Sequence, residues 1–232
     1  MAERRGIWRR LGSLTLKLAI LLVASSVLLT FALRWIAPPA SAFMIQHRLG
    51  DPQTLLVHRW VPWEKISRHA ALAVIAAEDQ KFPRHHGFDV DSIQDAVEAR
   101  AAGAQLRGAS TISQQVAKNL FLWPQQSFVR KGIEAWFTML IELMWPKQRI
   151  LEVYLNIAEF GPGIYGVGAA STVYFGKSPA ELWPAEAALL AAVLPNPQRL
   201  SVAQPSAYVR ERQAWILAQM RGLGGPAYVN DM

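Results

Sequence analysis

An uncharged apolar run near the amino terminus constrains this chain most. Residues 18–33, LAILLVASSVLLTFAL, separate Lys17 from Arg34, and the run reaches about 23 residues if Lys17 snorkels and the span begins near Leu11. Inside a bilayer such a segment satisfies its backbone polar groups only as a helix. We therefore predict a transmembrane anchor over residues 11–36.

The flanking charges predict the orientation of this anchor. Four arginines and one glutamate lie in residues 1–10, so the positive-inside rule leaves a basic tail in the cytoplasm and sends the remainder across the membrane. A cleaved signal peptide is the alternative, because Ala40, Ser41 and Ala42 resemble a cleavage site. The length of the apolar run favours the uncleaved anchor.

The net charge of +7 comes mostly from this end of the chain. Residues 1–37 hold six of the 24 lysines and arginines and one of the 17 acids, which leaves 18 bases against 16 acids, or +2, for the remainder. A nucleic-acid-binding function therefore loses its main support. The chain has no cysteine, which excludes disulfides and fits an exported protein that folds without them.

Beyond the anchor the apolar residues recur at helical spacing, so we expect a nearly all-α protein. Residues 37–60 are assigned to a membrane-proximal linker with a short interfacial helix near 43–48, and residues 61–232 to one domain. Further helices are expected over 91–102, 147–156 and 208–223, with a flexible turn over 161–168.

Residues 70–89, AALAVIAAEDQKFPRHHGFD, join an apolar run to two acids. The run lacks glycine and proline and predicts a buried helix, opening near Val61 and ending at Glu78. A carboxylate at the end of a buried helix is partly desolvated, which raises its pKa toward the range useful in acid-base catalysis. Glu78 is thus a catalytic candidate. Alternatively, Glu78 and Asp79 are simply the first solvated residues after a core helix.

Residues 108–119, GASTISQQVAKN, predict an amphipathic helix. Ser110 is expected to cap this helix, which would run to about Trp123, and its start with Gly108 resembles an anion site because backbone N–H groups are free there. One face carries three polar side chains: Thr111, Gln115 and Lys118. The structural alternative is an ordinary solvated face.

A third helix is expected over residues 128–145, capped by Ser127 and apolar nearly all round, hence buried. It carries Arg130, Lys131 and Glu134, and buried charge must be paired or used. In the structural interpretation, Arg130 and Glu134, four residues apart, form a salt bridge and nothing more. In the functional interpretation, Glu134 faces the first catalytic candidate across a cleft while the two bases hold a phosphate-bearing leaving group.

Five segments, in this order and spacing, resemble the motifs of the peptidoglycan glycosyltransferases, glycosyltransferase family 51. They are EDQKFPRHHGFD, GASTISQQVAKN, RKGIE, KQRILEVYLN and GPGIYGVGAAS. The resemblance covers nearly all of the chain after the anchor, and the five motifs together are far more specific than any one alone. Ala109 stands where many relatives have glycine. Gly168 stands where many have glutamate, which weakens any expectation that the last motif supplies a charge.

The resemblance implies a mainly α, lysozyme-like glycosyltransferase domain with one N-terminal transmembrane helix, at the periplasmic face of the bacterial cytoplasmic (inner) membrane. The family polymerises lipid II, an undecaprenyl-pyrophosphate disaccharide-pentapeptide, into β-1,4-linked glycan strands with release of undecaprenyl pyrophosphate. Inversion is expected, because attack occurs opposite the leaving group. The monofunctional form is the nearest match, since no SxxK or KTG signature occurs.

The resemblance also implies residue roles. Glu78 is the general base on the acceptor 4-hydroxyl, and Glu134 assists at the donor pyrophosphate. The implied substrate-binding residues are Thr111, Gln115, Lys118, Arg130 and Lys131. The supporting positions are Asp79, Phe82, His85 and Asn119. This chemistry is consistent, because a sugar hydroxyl needs a base and a departing diphosphate needs cations.

No organic cofactor and no protein-held metal site are expected, since the adjacent His85 and His86 lack metal-site spacing. A divalent cation such as Mg²⁺ is a candidate only at the donor pyrophosphate. Expected partners are lipid II, the growing glycan strand and the bilayer, with cell-division or elongation proteins as further candidates and no nucleic acid. Two other functions stay open: a lysozyme-like lytic enzyme and a non-catalytic membrane scaffold of the cell-wall machinery.

Overall fold

The computed structural model describes residues 2–50, 55–89, 91, 94 and 110–230. Within these residues the α-helices are α1 (Ala2–Ala32), α2 (Ala42–Gly50), α3 (Arg68–Glu78), α4 (Ile112–Phe121), α5 (Phe128–Met144), α6 (Lys147–Ile157), α7 (Gly166–Phe175), α8 (Pro184–Val193) and α9 (Ala207–Gly222). Short 3₁₀ helices cover Trp63–Lys65, Pro179–Glu181 and Gly225–Val229. The mainly α prediction is confirmed. The helix expected over 91–102 falls mostly outside the described residues.

Helix α1 contains residues 11–32 of the span predicted over residues 11–36. Its segment Gly12–Ala32 is long and apolar enough to cross a membrane, and only 6% of its most apolar window is buried. Two tryptophans of the domain hold its carboxyl-terminal half: Trp136 Nε1 donates to Ser26 Oγ at 3.1 Å, and Trp145 Nε1 donates to the Thr30 carbonyl at 2.8 Å. Both contacts lie within the apolar segment Gly12–Ala32.

The end of the anchor is also held by a buried arginine. Arg149 Nη2 donates to the carbonyls of Leu33 and Ile36, at 3.0 and 2.9 Å. Its Nη1 pairs with Glu152 Oε2 at 2.8 Å. These carbonyls lie at and just beyond the end of α1, where no further helical turn can satisfy them. The domain thus caps the anchor.

Helix α3 forms the centre of the core, and its residues 70–76 are all buried. It begins at Arg68, because the Ser67 hydroxyl accepts a hydrogen bond from the His69 backbone N–H at 3.2 Å and so caps the helix. The prediction that one helix opens near Val61 is therefore wrong. A 3₁₀ turn and this cap interrupt it.

A small sheet replaces the flexible turn predicted over 161–168. Strand β1 (Val57–His58) runs parallel to β3 (Ile164–Tyr165), which pairs antiparallel with β2 (Glu159–Gly161). Gly166 has φ +80°, and a Cβ there would lie 2.6 Å from the Asn156 carbonyl oxygen. At Gly168 a Cβ would clash with the Arg59 carbonyl oxygen and the Val61 side chain. A glutamate at position 168 of the last motif would therefore clash with its neighbours, which gives a steric reason for the glycine.

Candidate active site

Glu78 is the last residue of α3, and each of its carboxylate oxygens has one partner. Oε2 accepts a hydrogen bond from Gln115 Nε2 at 3.0 Å, and Oε1 lies 3.4 Å from Arg212 Nη2. Burial raises the pKa of Glu78, while the Gln115 hydrogen bond and the charges of Arg212 and Lys118 oppose the shift. The prediction of a desolvated carboxylate at this helix end is confirmed. Such a group suits proton transfer.

The Gln115 amide is oriented by a buried tyrosine. Tyr154, on α6, donates its hydroxyl hydrogen to Gln115 Oε1 at 3.1 Å. Burial raises the pKa of Tyr154 well above its ordinary value, so the hydroxyl stays protonated and acts as the donor. The amide oxygen is thereby occupied, and the amide nitrogen points to Glu78. Three elements, α3, α4 and α6, meet in this chain of hydrogen bonds.

Asp79 and His85 contact protein groups rather than open space. The Asp79 carboxylate accepts hydrogen bonds from His85 Nε2 at 2.9 Å and from the Ile112 backbone N–H at 2.9 Å. His85 Nδ1 accepts from the Gly87 N–H at 3.1 Å, which fixes the tautomer that carries its proton on Nε2. Phe82 is fully buried beside the His85 ring. These contacts suit the scaffold role implied for the motif.

Helix α4 begins one residue later than expected. Thr111, not Ser110, is the N-cap, because its hydroxyl accepts from the Gln114 N–H at 3.2 Å and donates to the Gly87 carbonyl at 2.6 Å. The helix also ends at Phe121 rather than near Trp123. Thr111 is 3% exposed, so its hydroxyl is used within the protein. The predicted anion site included Gly108, which lies outside the described residues.

Lys118 and the charges of α5 line a cavity of about 240 Å³. Burial lowers the pKa of Lys118, the charge of Glu134 opposes this shift, and those of Arg130 and Lys131 add to it. No ion pair joins Lys118 to a carboxylate of the described residues. Its Nζ lies 5.7 Å from the ring centroid of Phe43. It is therefore a partly desolvated cation that faces an open cavity.

Glu134 is already paired on both oxygens. Arg130 Nη1 lies 2.8 Å from Oε2 and Lys131 Nζ lies 2.5 Å from Oε1. The predicted salt bridge is thus present, and it ties two of the expected phosphate ligands to one carboxylate. Together with Lys118, three cations face one acid in the described lining of this cavity. The net charge of this lining is therefore positive, which suits an anionic ligand.

Lys118 lies near both carboxylates, because its charge interacts with Glu78 and with Glu134. Glu78 lines a cavity of about 350 Å³, to which α9 contributes Trp215. Ser110 lines both cavities, and Gln115 lines the second while it bonds Glu78. The two cavities meet at Ser110, one lined by the desolvated acid and the other by the cations. That Glu134 faces Glu78 across one cleft stays a prediction.

The contributions of Arg212, Tyr154 and α9 to the site were not predicted from the sequence. One signal for Arg212 was available, because it lies three residues after Val209 and four before Ile216, both buried. A charged residue on the buried face of a helix needs a partner. For Asn119, the buried Oδ1 atom has no hydrogen-bond partner in the structure. Nothing else in the geometry of Asn119 indicates its role.

Comparisons with known proteins agree on one family. Residues 48–221 match the family described as Transglycosylase. The chain is 56% identical to a biosynthetic peptidoglycan transglycosylase of Shewanella oneidensis over 222 residues, which is 95% of each chain. It is 53% identical to the Ectopseudomonas mendocina protein of the same name, over 98% of this chain and 94% of that one. The Stutzerimonas stutzeri protein of that name is 54% identical, over 92% and 90%.

Proposed function

The chain belongs to the peptidoglycan transglycosylase family, and from this premise we propose that it polymerises lipid II into β-1,4-linked glycan strands. Each step releases undecaprenyl pyrophosphate and inverts the configuration of the donor sugar. The observation that carries the proposal is the pairing of two neighbouring cavities, one with the desolvated Glu78 and one with three cations. Their contents match the two chemical needs of the reaction.

The acceptor end of the reaction is assigned to the cavity of Glu78. Its carboxylate takes the proton of the acceptor 4-hydroxyl while that oxygen bonds to the anomeric carbon of the donor. Burial raises the pKa of Glu78, which makes the carboxylate a better proton acceptor. Gln115 keeps one carboxylate oxygen in place through its 3.0 Å hydrogen bond.

The donor end is assigned to the cavity of Lys118. As the bond between the anomeric carbon and the diphosphate oxygen breaks, negative charge grows on the diphosphate. Lys118, Arg130 and Lys131 stabilise that charge, and the desolvation of Lys118 strengthens its contribution. Glu134 acts by holding Arg130 and Lys131 at ion-pair distance, so the cations are ordered before the substrate arrives.

The residues of this cavity do not fit a protein-held metal ion. Both oxygens of Glu134 are taken by Arg130 and Lys131, and the described residues contain no group of three histidine or acidic side chains that could hold a metal. A divalent cation such as Mg²⁺ in the reaction would be held chiefly by the diphosphate oxygens of the substrate.

We place the protein as a single-pass component of the inner membrane, with the amino terminus in the cytoplasm and the domain in the periplasm. The arginines of residues 1–10 and the apolar segment Gly12–Ala32 support this topology. The contact of Trp136 with Ser26 supports an uncleaved anchor. It also brings α5, which carries Glu134, beside the membrane span. A lipid-borne diphosphate then has a short path to its cations.

The test is incubation of the purified full chain, in detergent, with labelled lipid II. We expect a glycan polymer, with one undecaprenyl pyrophosphate released for each glycosidic bond formed. A lytic enzyme would instead shorten a preformed glycan strand and leave lipid II intact, and a scaffold would do neither. Lipid II and the growing strand are the proposed partners. Division or elongation proteins stay a prediction.

A further inference from the structure

Arg212 connects the carboxyl-terminal helix to Glu78. Its Nη2 lies 3.4 Å from Glu78 Oε1, across 134 residues of sequence. The Arg212 side chain is 23% exposed and that of Glu78 is 15% exposed. This ion pair is therefore mostly shielded from water, where charge interactions are stronger than at the surface.

Burying the Arg212 side chain on α9 costs free energy unless its charge is paired. It lies on the helix face that buries Val209 and Ile216, and its Nε is buried with no hydrogen-bond partner in the structure. Removing a guanidinium from water is unfavourable unless it is paired. Among the described carboxylates, Glu78 is the one with which it forms an ion pair.

Helix α9 also contributes directly to the cavity of Glu78. Trp215, three residues beyond Arg212, lines that cavity and is 44% exposed. The helix therefore forms one wall of the site as well as supporting the core. None of the five sequence motifs includes it.

We propose that Arg212 is a positioning residue for the general base: it holds one oxygen of Glu78, opposite the Gln115 hydrogen bond, so that the carboxylate stays ionised and aimed at the acceptor hydroxyl. This inference rests on the proposed function. It assigns α9 to the acceptor side of the reaction.

The charges around Glu78 explain why Arg212 matters. Lys118 faces Glu78 from α4, Arg212 faces it from α9, and Asp79 is its chain neighbour. Tyr154 on α6 is protonated and carries no charge. Burial and Asp79 favour the neutral carboxyl, and Arg212 is the cation in direct contact. Without Arg212 the pKa of Glu78 would rise further, so the carboxylate would take up its proton at a higher pH.

The experiment measures kcat/KM for lipid II polymerisation against pH in wild type, Arg212→Gln, Arg212→Lys and a control, Arg210→Gln. Arg210 is an exposed residue of the same helix. We expect the acid limb of the profile to move up by about one pH unit in Arg212→Gln. Arg212→Lys should keep the acid limb near that of wild type while kcat falls several-fold, and Arg210→Gln should match wild type.

A uniform loss at every pH in Arg212→Gln, with the acid limb unmoved, would overturn the proposal. If that variant does not fold, Arg212→Lys decides: an acid limb that moves upward despite the retained charge contradicts the assigned role. An effect of equal size in Arg210→Gln would also contradict the role assigned to Arg212. Absence of polymer from wild type overturns the proposed function itself, and this inference with it.

Discussion

The Asp79 carboxylate lies 2.9 Å from the backbone nitrogen of Ile112, the first residue of α4. This single contact ties the end of α3 to the start of α4. Glu78 directly precedes Asp79 in the chain, and Gln115 lies about one helical turn after Ile112. The distance between the base and its hydrogen-bond donor is therefore set by a buried charge at a helix amino terminus, where a carboxylate is favoured by the helix dipole.

Asp79→Asn should destabilise the protein. The amide keeps one acceptor oxygen but loses the charge, so it cannot satisfy both Ile112 and His85 as the carboxylate does. We expect a loss of about 1–3 kcal/mol in the free energy of unfolding, measured by chemical denaturation in detergent. The control is Asp91→Asn, whose side chain is 81% exposed. An equal effect in the two variants would contradict the bridging role of Asp79.

Lys118→Arg should change how activity depends on alkaline pH. Because the pKa of Lys118 is lowered from 10.5, the ammonium loses its proton as pH rises through that lowered value, and the hold on the diphosphate weakens. A guanidinium stays charged there. We expect the KM for lipid II to rise at high pH in wild type and to stay nearly flat in Lys118→Arg.

Removing the Lys118 charge gives the matching control. Lys118→Met should raise KM at every pH, whereas Lys65→Met, at an exposed lysine, should leave it unchanged. If wild type and Lys118→Arg share one alkaline profile, Lys118 is not the cation that titrates.

Glu134→Gln should cost stability as well as activity. Arg130 would stay buried without its partner, and breaking a buried ion pair in this way costs about 3–5 kcal/mol. Thermal unfolding in detergent measures the loss, with Glu211→Gln at an exposed position as the control. An unfolding temperature equal to that of the control would mean that Glu134 does not order its two cations.

Arg149→Met should release the end of the anchor from the domain. The Leu33 and Ile36 carbonyls would lose their donor, each bond being worth about 1 kcal/mol, so local opening should increase roughly tenfold or more. Limited proteolysis of residues 34–41 in detergent measures this opening. The exposed Arg199→Met should be cleaved at the wild-type rate. Unchanged cleavage in Arg149→Met would contradict the capping of the anchor by the domain.

Much of the fold could be predicted because apolar runs here end at clear signals. Ser127 caps α5 and Pro146 follows it, as the sequence indicates. The strands could not be predicted, since two or three residues are too few to show alternation. Ser110 and Thr111 are both good caps, and the Gly87 carbonyl, distant in sequence, selects Thr111.

The site was predictable in its parts but not in its arrangement. Glu78, Gln115 and Lys118 could be chosen from residue type and helical spacing. The position of Gln115 and Lys118 relative to Glu78 depends on where the first turn of α4 lies, which the Asp79 and Thr111 contacts determine. The contribution of Arg212 depends on the packing of α9 against α3, which local sequence does not encode.

The most direct test compares lipid II polymerisation by wild type, Glu78→Gln and the exposed control Glu64→Gln, with circular dichroism to verify folding. The glutamine keeps the shape of the side chain and removes its ability to take a proton. We predict that Glu78→Gln loses about 10²–10⁴-fold in rate while Glu64→Gln polymerises like wild type. A folded Glu78→Gln protein that makes glycan at the wild-type rate would contradict the assignment of Glu78 as the base.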